Sequence, residues 1–176
     1  MSLFTTLLLA HLLGDFPFQT NYIYALKLKG GYYVIPHALI HVAITAVLIG
    51  NLSTSWPLLI ILGIVHFSID WFKVSTPLYT PDIDFIIDQL MHVASLALLA
   101  YFMPHITPLL PMTITFWGSI LSLVPAIMMF SWVYALTQKE KEPIILWMQD
   151  SMCLISQRTG QGIVLALVLV SIVILT

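Results

Sequence analysis

The sequence predicts an all-α fold: a polytopic bundle of five or six transmembrane helices with one further helix lying in the membrane interface. Three observations predict it. Of the 176 residues, 60% are hydrophobic and 8% charged, where a soluble domain carries roughly 45–50% apolar and about 25% charged residues. Mean hydropathy is +1.00. The apolar runs are long and do not alternate, which selects helices over strands, and about 20 such residues cross a bilayer core of about 30 Å.

The first run covers residues 2–16, or reaches 24 if it continues past Pro17. The next four cover 33–50, 56–73, 84–102 and 113–136, the last with a kink expected at Pro125. A sixth run, 162–176, is short for a span. Between the fifth and sixth, TQKEKEPIILWMQDSMCLISQRTGQG places Trp147, Met148 and Met152 among polar residues, with Pro143 near its start and Gly160 and Gly162 at its end. That pattern suits a helix in the interface. SLFTTLLLA lacks the basic flank and cleavage site of a secretory signal, so it is expected to stay in the mature protein. The whole chain, 1–176, reads as one transmembrane domain whose chemistry is concentrated in residues 1–102.

Cytoplasmic loops carry the excess of Lys and Arg. Lys27, Lys29, Lys73, Lys139, Lys141 and Arg158 all fall in odd-numbered loops, while GNLSTS and MPHITPLLP have none. The expected topology has the N-terminus outside and odd-numbered loops in the cytoplasm, in a bacterial inner membrane. Membrane lipids are the expected surroundings, and a homo-oligomer is compatible with the sequence. A net charge of −2 argues against nucleic acid, and the single Cys153 cannot form an intrachain disulfide.

Ionisable groups are costly inside a span, about 2.5–3.5 kcal/mol for an Asp at a helix centre. Here they come in pairs four residues apart: His11 with Asp15, His37 with His41, His66 with Asp70, and Asp88 with His92. Such a pair turns about 40° around a helix and rises about 6 Å, so both side chains look the same way. Helices present two metal ligands by this spacing. Each pair on its own is equally well read as a hydrogen-bonded bridge between helices. Four pairs at one depth are much harder to read so. The predicted topology puts all of them near the cytoplasmic side, provided the first helix breaks at Pro17.

A mixed His and Asp set without thiolate suits a divalent metal, zinc first, with manganese, iron or nickel also compatible, as one or two ions. Asp15 or Asp88 is the expected general base. Gln19, Gln89 and Lys73 are the expected substrate contacts, although Lys73 reads more readily as a lysine that snorkels and sets topology. Asp84 either supports the set or caps its helix, and His105 is expected to face solvent. The first functional reading is a metal-dependent hydrolase of a lipid-like, phosphoester or acyl substrate at the cytoplasmic membrane surface. A divalent metal ion transporter or channel is the alternative, and a non-catalytic, metal-stabilised membrane module the third.

HLLGDFPFQ at 11–19, the HxxxH at 37–41, HFSIDWFK at 66–73 and DQLMH at 88–92 resemble, over about residues 5–95, the motif series of a bacterial membrane family of unknown function. The later half departs from it, since RTGQGIVLALV lacks an acidic–basic pair. The resemblance implies that the polar residues form a set without naming their chemistry. A looser similarity of pattern is to membrane-bound metal-dependent hydrolases.

Overall fold

The computed structural model describes residues 2–137 and, beyond them, 158, 160–162, 164–166 and 169. The predicted interfacial helix and most of the run 162–176 lie outside the described residues. Everything regular within them is helical: α1 (Ser2–Asp15), α2 (Asn21–Lys27), a 3-10 turn (Gly31–Val34) leading into α3 (Ile35–Ile49), α4 (Leu52–Ser75), α5 (Pro81–Phe102) and α6 (Met112–Thr137). The protein is an integral membrane helix bundle.

The span count differs from the expectation of five or six. Four helices, Gly31–Ile49, Leu52–Ser75, Pro81–Phe102 and Met112–Ser131, are long and apolar enough to cross a membrane. The first is not. α1 has 14 residues, which at about 1.5 Å each reach only two-thirds of a core of about 30 Å. It stops at Asp15 and does not continue to 24, because Pro17 follows and Phe16–Thr20 turn the chain before α2 begins. The Thr20 hydroxyl then accepts from Ile23 N–H at 3.3 Å and caps α2. Pro36 and Pro81 open α3 and α5, where a missing N–H costs nothing.

α1 is the centre of the bundle. Ten of its 14 residues are buried, and α3, α4, α5 and α6 follow one another around it, with α3, α5 and α6 in direct contact. The outer faces of those helices carry exposed Val47, Ile64, Leu98 and Phe116, and Trp56, Trp71 and Trp117 are exposed as interfacial aromatics would be. Lipid tails are as apolar as leucine, so close packing and interhelical hydrogen bonds hold such a bundle together. Between α1 and α6, the Thr5 and Thr115 hydroxyls meet at 2.8 Å and Ser119 Oγ donates to the Thr5 carbonyl at 3.2 Å. Leu3, Leu7, Ile49, Leu58, Leu62, Leu96 and Leu99 form an apolar core around the N-terminal part of α1. Among the described residues past α6, Gly160 is buried where a Cβ would strike the Pro17 ring, so the chain returns to the break after α1.

Candidate metal centre

Each of the four pairs sits toward the same end of the bundle: at the C-terminal end of α1, the start of α3, late in α4 and just ahead of and at the middle of α5. The antiparallel order of the helices thus turns sequence positions into one layer. All eight side chains, His11, Asp15, His37, His41, His66, Asp70, Asp88 and His92, are buried. α3 comes close enough because residue 14 is glycine: a Cβ there would collide with the His41 ring.

Asp15 Oδ1 lies 3.1 Å from Nε2 of both His37 and His41, and those two nitrogens are 3.3 Å apart. Asp70 Oδ2 is 3.5 Å from His37 Nε2 and 3.4 Å from His66 Nε2, while its Oδ1 is 3.5 Å from His92 Nε2. His92 Nε2 is 3.4 Å from Asp88 Oδ1, and His11 Nε2 is 3.6 Å from Asp15 Oδ2. The His41 and His66 rings are 3.7 Å apart between centroids, and those of His66 and His92 4.2 Å. All five imidazoles direct Nε2 inward.

As a hydrogen-bond network this is poor. Three atoms with mutual separations of 3.1–3.3 Å cannot all be paired by the protons available, and His66 Nε2, His92 Nε2 and Asp88 Oδ1 are buried without a hydrogen-bond partner. As a ligand set it is good. Donors at about 2.0–2.1 Å from one tetrahedral ion stand about 3.3–3.4 Å from each other. Three groups of ligand atoms lie within 4.8 Å of one another and could hold a metal ion: Asp15, His37, His41 and His66; His11, His66 and His92; Asp70, Asp88 and His92. The first and third share no member, so the layer has room for one ion or two. The Nδ1 atoms of His11 and His37 find no acceptor among the described residues, so the ring orientation usually fixed from that side is not fixed there.

Two lysines close the layer. Lys27 is buried, its Nζ 2.5 Å from Asp70 Oδ1. Burial alone would push this ammonium down; the carboxylates of Asp70, then Asp88 and Asp15, outweigh it and hold Lys27 above its ordinary value. Lys73 Nζ donates to Asp88 Oδ2 at 2.6 Å and sits 5.5 Å from the centroid of the Phe85 ring. Both lysines, with Asp15, Asp88, Gln19 and Gln89, line a cavity of about 330 Å³ beside the layer, whose remaining walls include Phe16, Leu28, Phe85, Met129 and Val133.

A family model described as "Protein of unknown function (DUF3307)" matches residues 3–121. The chain belongs to the DUF3307 family. No curated protein and no solved structure matches it. The DUF3307 match runs past residue 95, where the resemblance in the sequence fades, and takes in all eight convergent residues and both lysines; Met129 and Val133 of the cavity wall lie beyond it.

Within this DUF3307 chain, the residues expected to contact substrate are placed unequally. Gln19 and Lys73 line the cavity. Gln89 also reaches it, but donates from Nε2 to Asp15 Oδ2 at 2.7 Å and pairs Oε1 with His11 Nε2 at 3.2 Å, so it ties α5 to α1. Asp84 reaches back to accept from Tyr79 N–H at 3.1 Å, ahead of the first turn of α5, and also lines the cavity. His105 is exposed. Sequence reasoning missed Lys27, read as a charge in a loop. The signal for it was faint: Thr20 as an N-cap implies a short helix, and a helix after the Pro17 turn can carry its last residue back over the bundle.

Proposed function

We propose that the protein is a metal-dependent hydrolase working at one face of the membrane, with a substrate that enters sideways from the lipid. The observation that supports this reading most is the convergence of five inward Nε2 atoms and three carboxylates beside a cavity with largely apolar walls. Some of His11, Asp15, His37, His41, His66, Asp70, Asp88 and His92 would hold one or two divalent ions, zinc first by donor chemistry, leaving Asp15 or Asp88 free of the metal. An ion so held supplies Lewis acidity toward a phosphoryl or acyl oxygen and acidifies water.

The chain's own residues supply the rest. Asp15 and Asp88 line the cavity, so either carboxylate can meet a water there. Asp88 is the better placed as general base, since its Oδ1 has no hydrogen-bond partner while Oδ2 is held by Lys73. It takes a proton from water as the water oxygen bonds to phosphorus or carbonyl carbon; the ester oxygen leaves and receives a proton in turn. Phe16 and Phe85 restrict bulk water and the lysines orient the reacting group. In the expected topology this face is cytoplasmic, in a bacterial inner membrane.

Transport of a divalent ion is the second reading, and one observation weighs against it. Around the N-terminal part of α1 the core is Leu3, Leu7, Ile49, Leu58, Leu62, Leu96 and Leu99, and the buried polar groups beside it among the described residues are hydroxyls such as Thr6, Thr45, Ser55 and Thr115, with no carboxylate or imidazole to hold an ion on the way to the far side. Elemental analysis of the purified chain tests the metal. Wild type should carry one or two equivalents, and His37→Ala and Asp70→Asn far less; unchanged content in both variants removes the site. A centre with metal but no coordination position open to water would remove the hydrolase.

A further inference from the structure

The cavity joins two environments that seldom meet. Its polar lining includes Lys27, Lys73, Gln89 and three carboxylates, Asp15, Asp84 and Asp88; its outer end runs past Tyr24 and Leu28, both exposed, to the surface. A free small anion finds few partners on the apolar walls, and a hydrocarbon finds none on the floor. A molecule with a charged head and an apolar chain satisfies both ends. The volume of about 330 Å³ is at the lower end of ligand pockets, enough for a head and the first part of a chain.

Charge decides the sign of the head. With neutral imidazoles, Asp15, Asp70 and Asp88 against Lys27 and Lys73 leave the layer at one net negative charge, and half-buried Asp84, which accepts from Tyr79 N–H, adds a further carboxylate to the cavity wall. One divalent cation among the carboxylates balances this total and a second leaves two net positive charges, and in either case the ion draws from the two ammonium groups the counterions they now share. An ammonium has three N–H donors, and among the described residues Lys73 gives one hydrogen bond, to Asp88. The Phe85 ring at 5.5 Å and the Asp88 carboxylate fix that ammonium at the cavity wall. Tetrahedral oxyanions accept several such donors at once, which a single carboxylate does less well.

We propose that this cavity binds the phosphate-type anionic head of an amphiphile, with Lys73 and Lys27 as its cationic partners and the apolar wall of Phe85, Met129 and Val133 holding the start of its chain. The assignment rests on the metal reading above, because the charge balance requires a divalent cation. It narrows the substrate from phosphoester or acyl to a phosphoester amphiphile.

The test uses the full chain, zinc-loaded, in phosphatidylcholine nanodiscs, with dodecylphosphonate as a ligand whose C–P bond is not hydrolysed. Inorganic phosphate and dodecanol are the comparison ligands, binding is read by titration calorimetry, and zinc is measured on the same samples. Dodecylphosphonate should bind at least tenfold tighter than either. Lys73→Gln should weaken it at least tenfold and Lys73→Arg much less; Met129→Trp, which fills the cavity from α6, should abolish binding with zinc content unchanged. Equal binding of dodecanol overturns the anion site, equal binding of inorganic phosphate overturns the amphiphile, and an indifferent Lys73→Gln overturns the lysine's role. Zinc retained without phosphonate binding sinks this proposal alone; a chain that holds no zinc sinks the metal reading and this proposal with it.

Discussion

The ammonium of Lys27 stands 2.5 Å from Oδ1 of Asp70, and both side chains are buried. One comes from a seven-residue helix after a turn, the other from a 24-residue span. Asp70 also touches His37, His66 and His92, so the pair fixes α2 onto the ligand layer.

Removing the lysine leaves that carboxylate buried and without its cation. Lys27→Met should destabilise the folded chain by about 3–5 kcal/mol, the usual cost of breaking one side of a buried pair. Unfolding followed by tryptophan fluorescence in mild detergent measures it. A loss under about 1 kcal/mol, the range of a surface pair, would mean that Lys27 is not held as described.

The same pair sets a pH dependence with a definite sign. Lys27 is raised in the folded chain, so its contribution is complete below the unfolded value of about 10.4 and is lost only as pH rises through the folded value. The stability gap between wild type and Lys27→Met should stay level from about pH 6 to about pH 9 and shrink only at still higher pH. A gap that closes below about pH 9 would show that the ammonium is not stabilised in the fold.

Gly14 of α1 lies directly against the His41 ring of α3. Gly14→Ala adds one methyl group and no charge, yet it must displace an imidazole of the layer. Metal affinity should fall roughly 10–100-fold, as when a group that orients a ligand is lost, while helix content by circular dichroism stays the same. Unaltered affinity would place His41 outside the ligand set.

Metal should stabilise the fold by mass action. At a free concentration about 100 times the dissociation constant, unfolding should cost about 2.7 kcal/mol more than in chelator. His66 belongs to two of the three groups, so His66→Ala should abolish most of this gain. Asp88→Asn should retain more of it yet lose hydrolysis of a phosphoester amphiphile by about 10²–10⁴-fold, the usual share of a general base. Equal stability with and without metal would contradict the site.

Much of this layer was legible in the chain because period 3.6 is a property of any helix: residues four apart face together whatever surrounds them. Cost did the rest, since eight polar side chains in apolar runs need partners. Which partners they find was not legible. Asp15 to His37 and His41, Asp70 to Lys27, and Gln89 to both Asp15 and His11 join residues on different helices, and such pairings depend on rotation and depth that no local pattern encodes.

By itself, then, the sequence determined a membrane helix bundle and singled out the eight polar side chains that converge in it, through composition, periodicity and the desolvation cost of buried charge, while leaving the first helix either to break at Pro17 or to run on to 24. Only the tertiary structure decided that α1 is a short central helix and not a lipid-facing span. Ten buried residues on a 14-residue helix follow from four longer helices packing around it, and hydropathy cannot tell a helix buried in protein from one buried in lipid. The tertiary structure also decided that Lys27 belongs to the site, because its neighbours are set by where α2 folds back, and a lysine at a membrane surface and a lysine over a carboxylate look alike in one dimension.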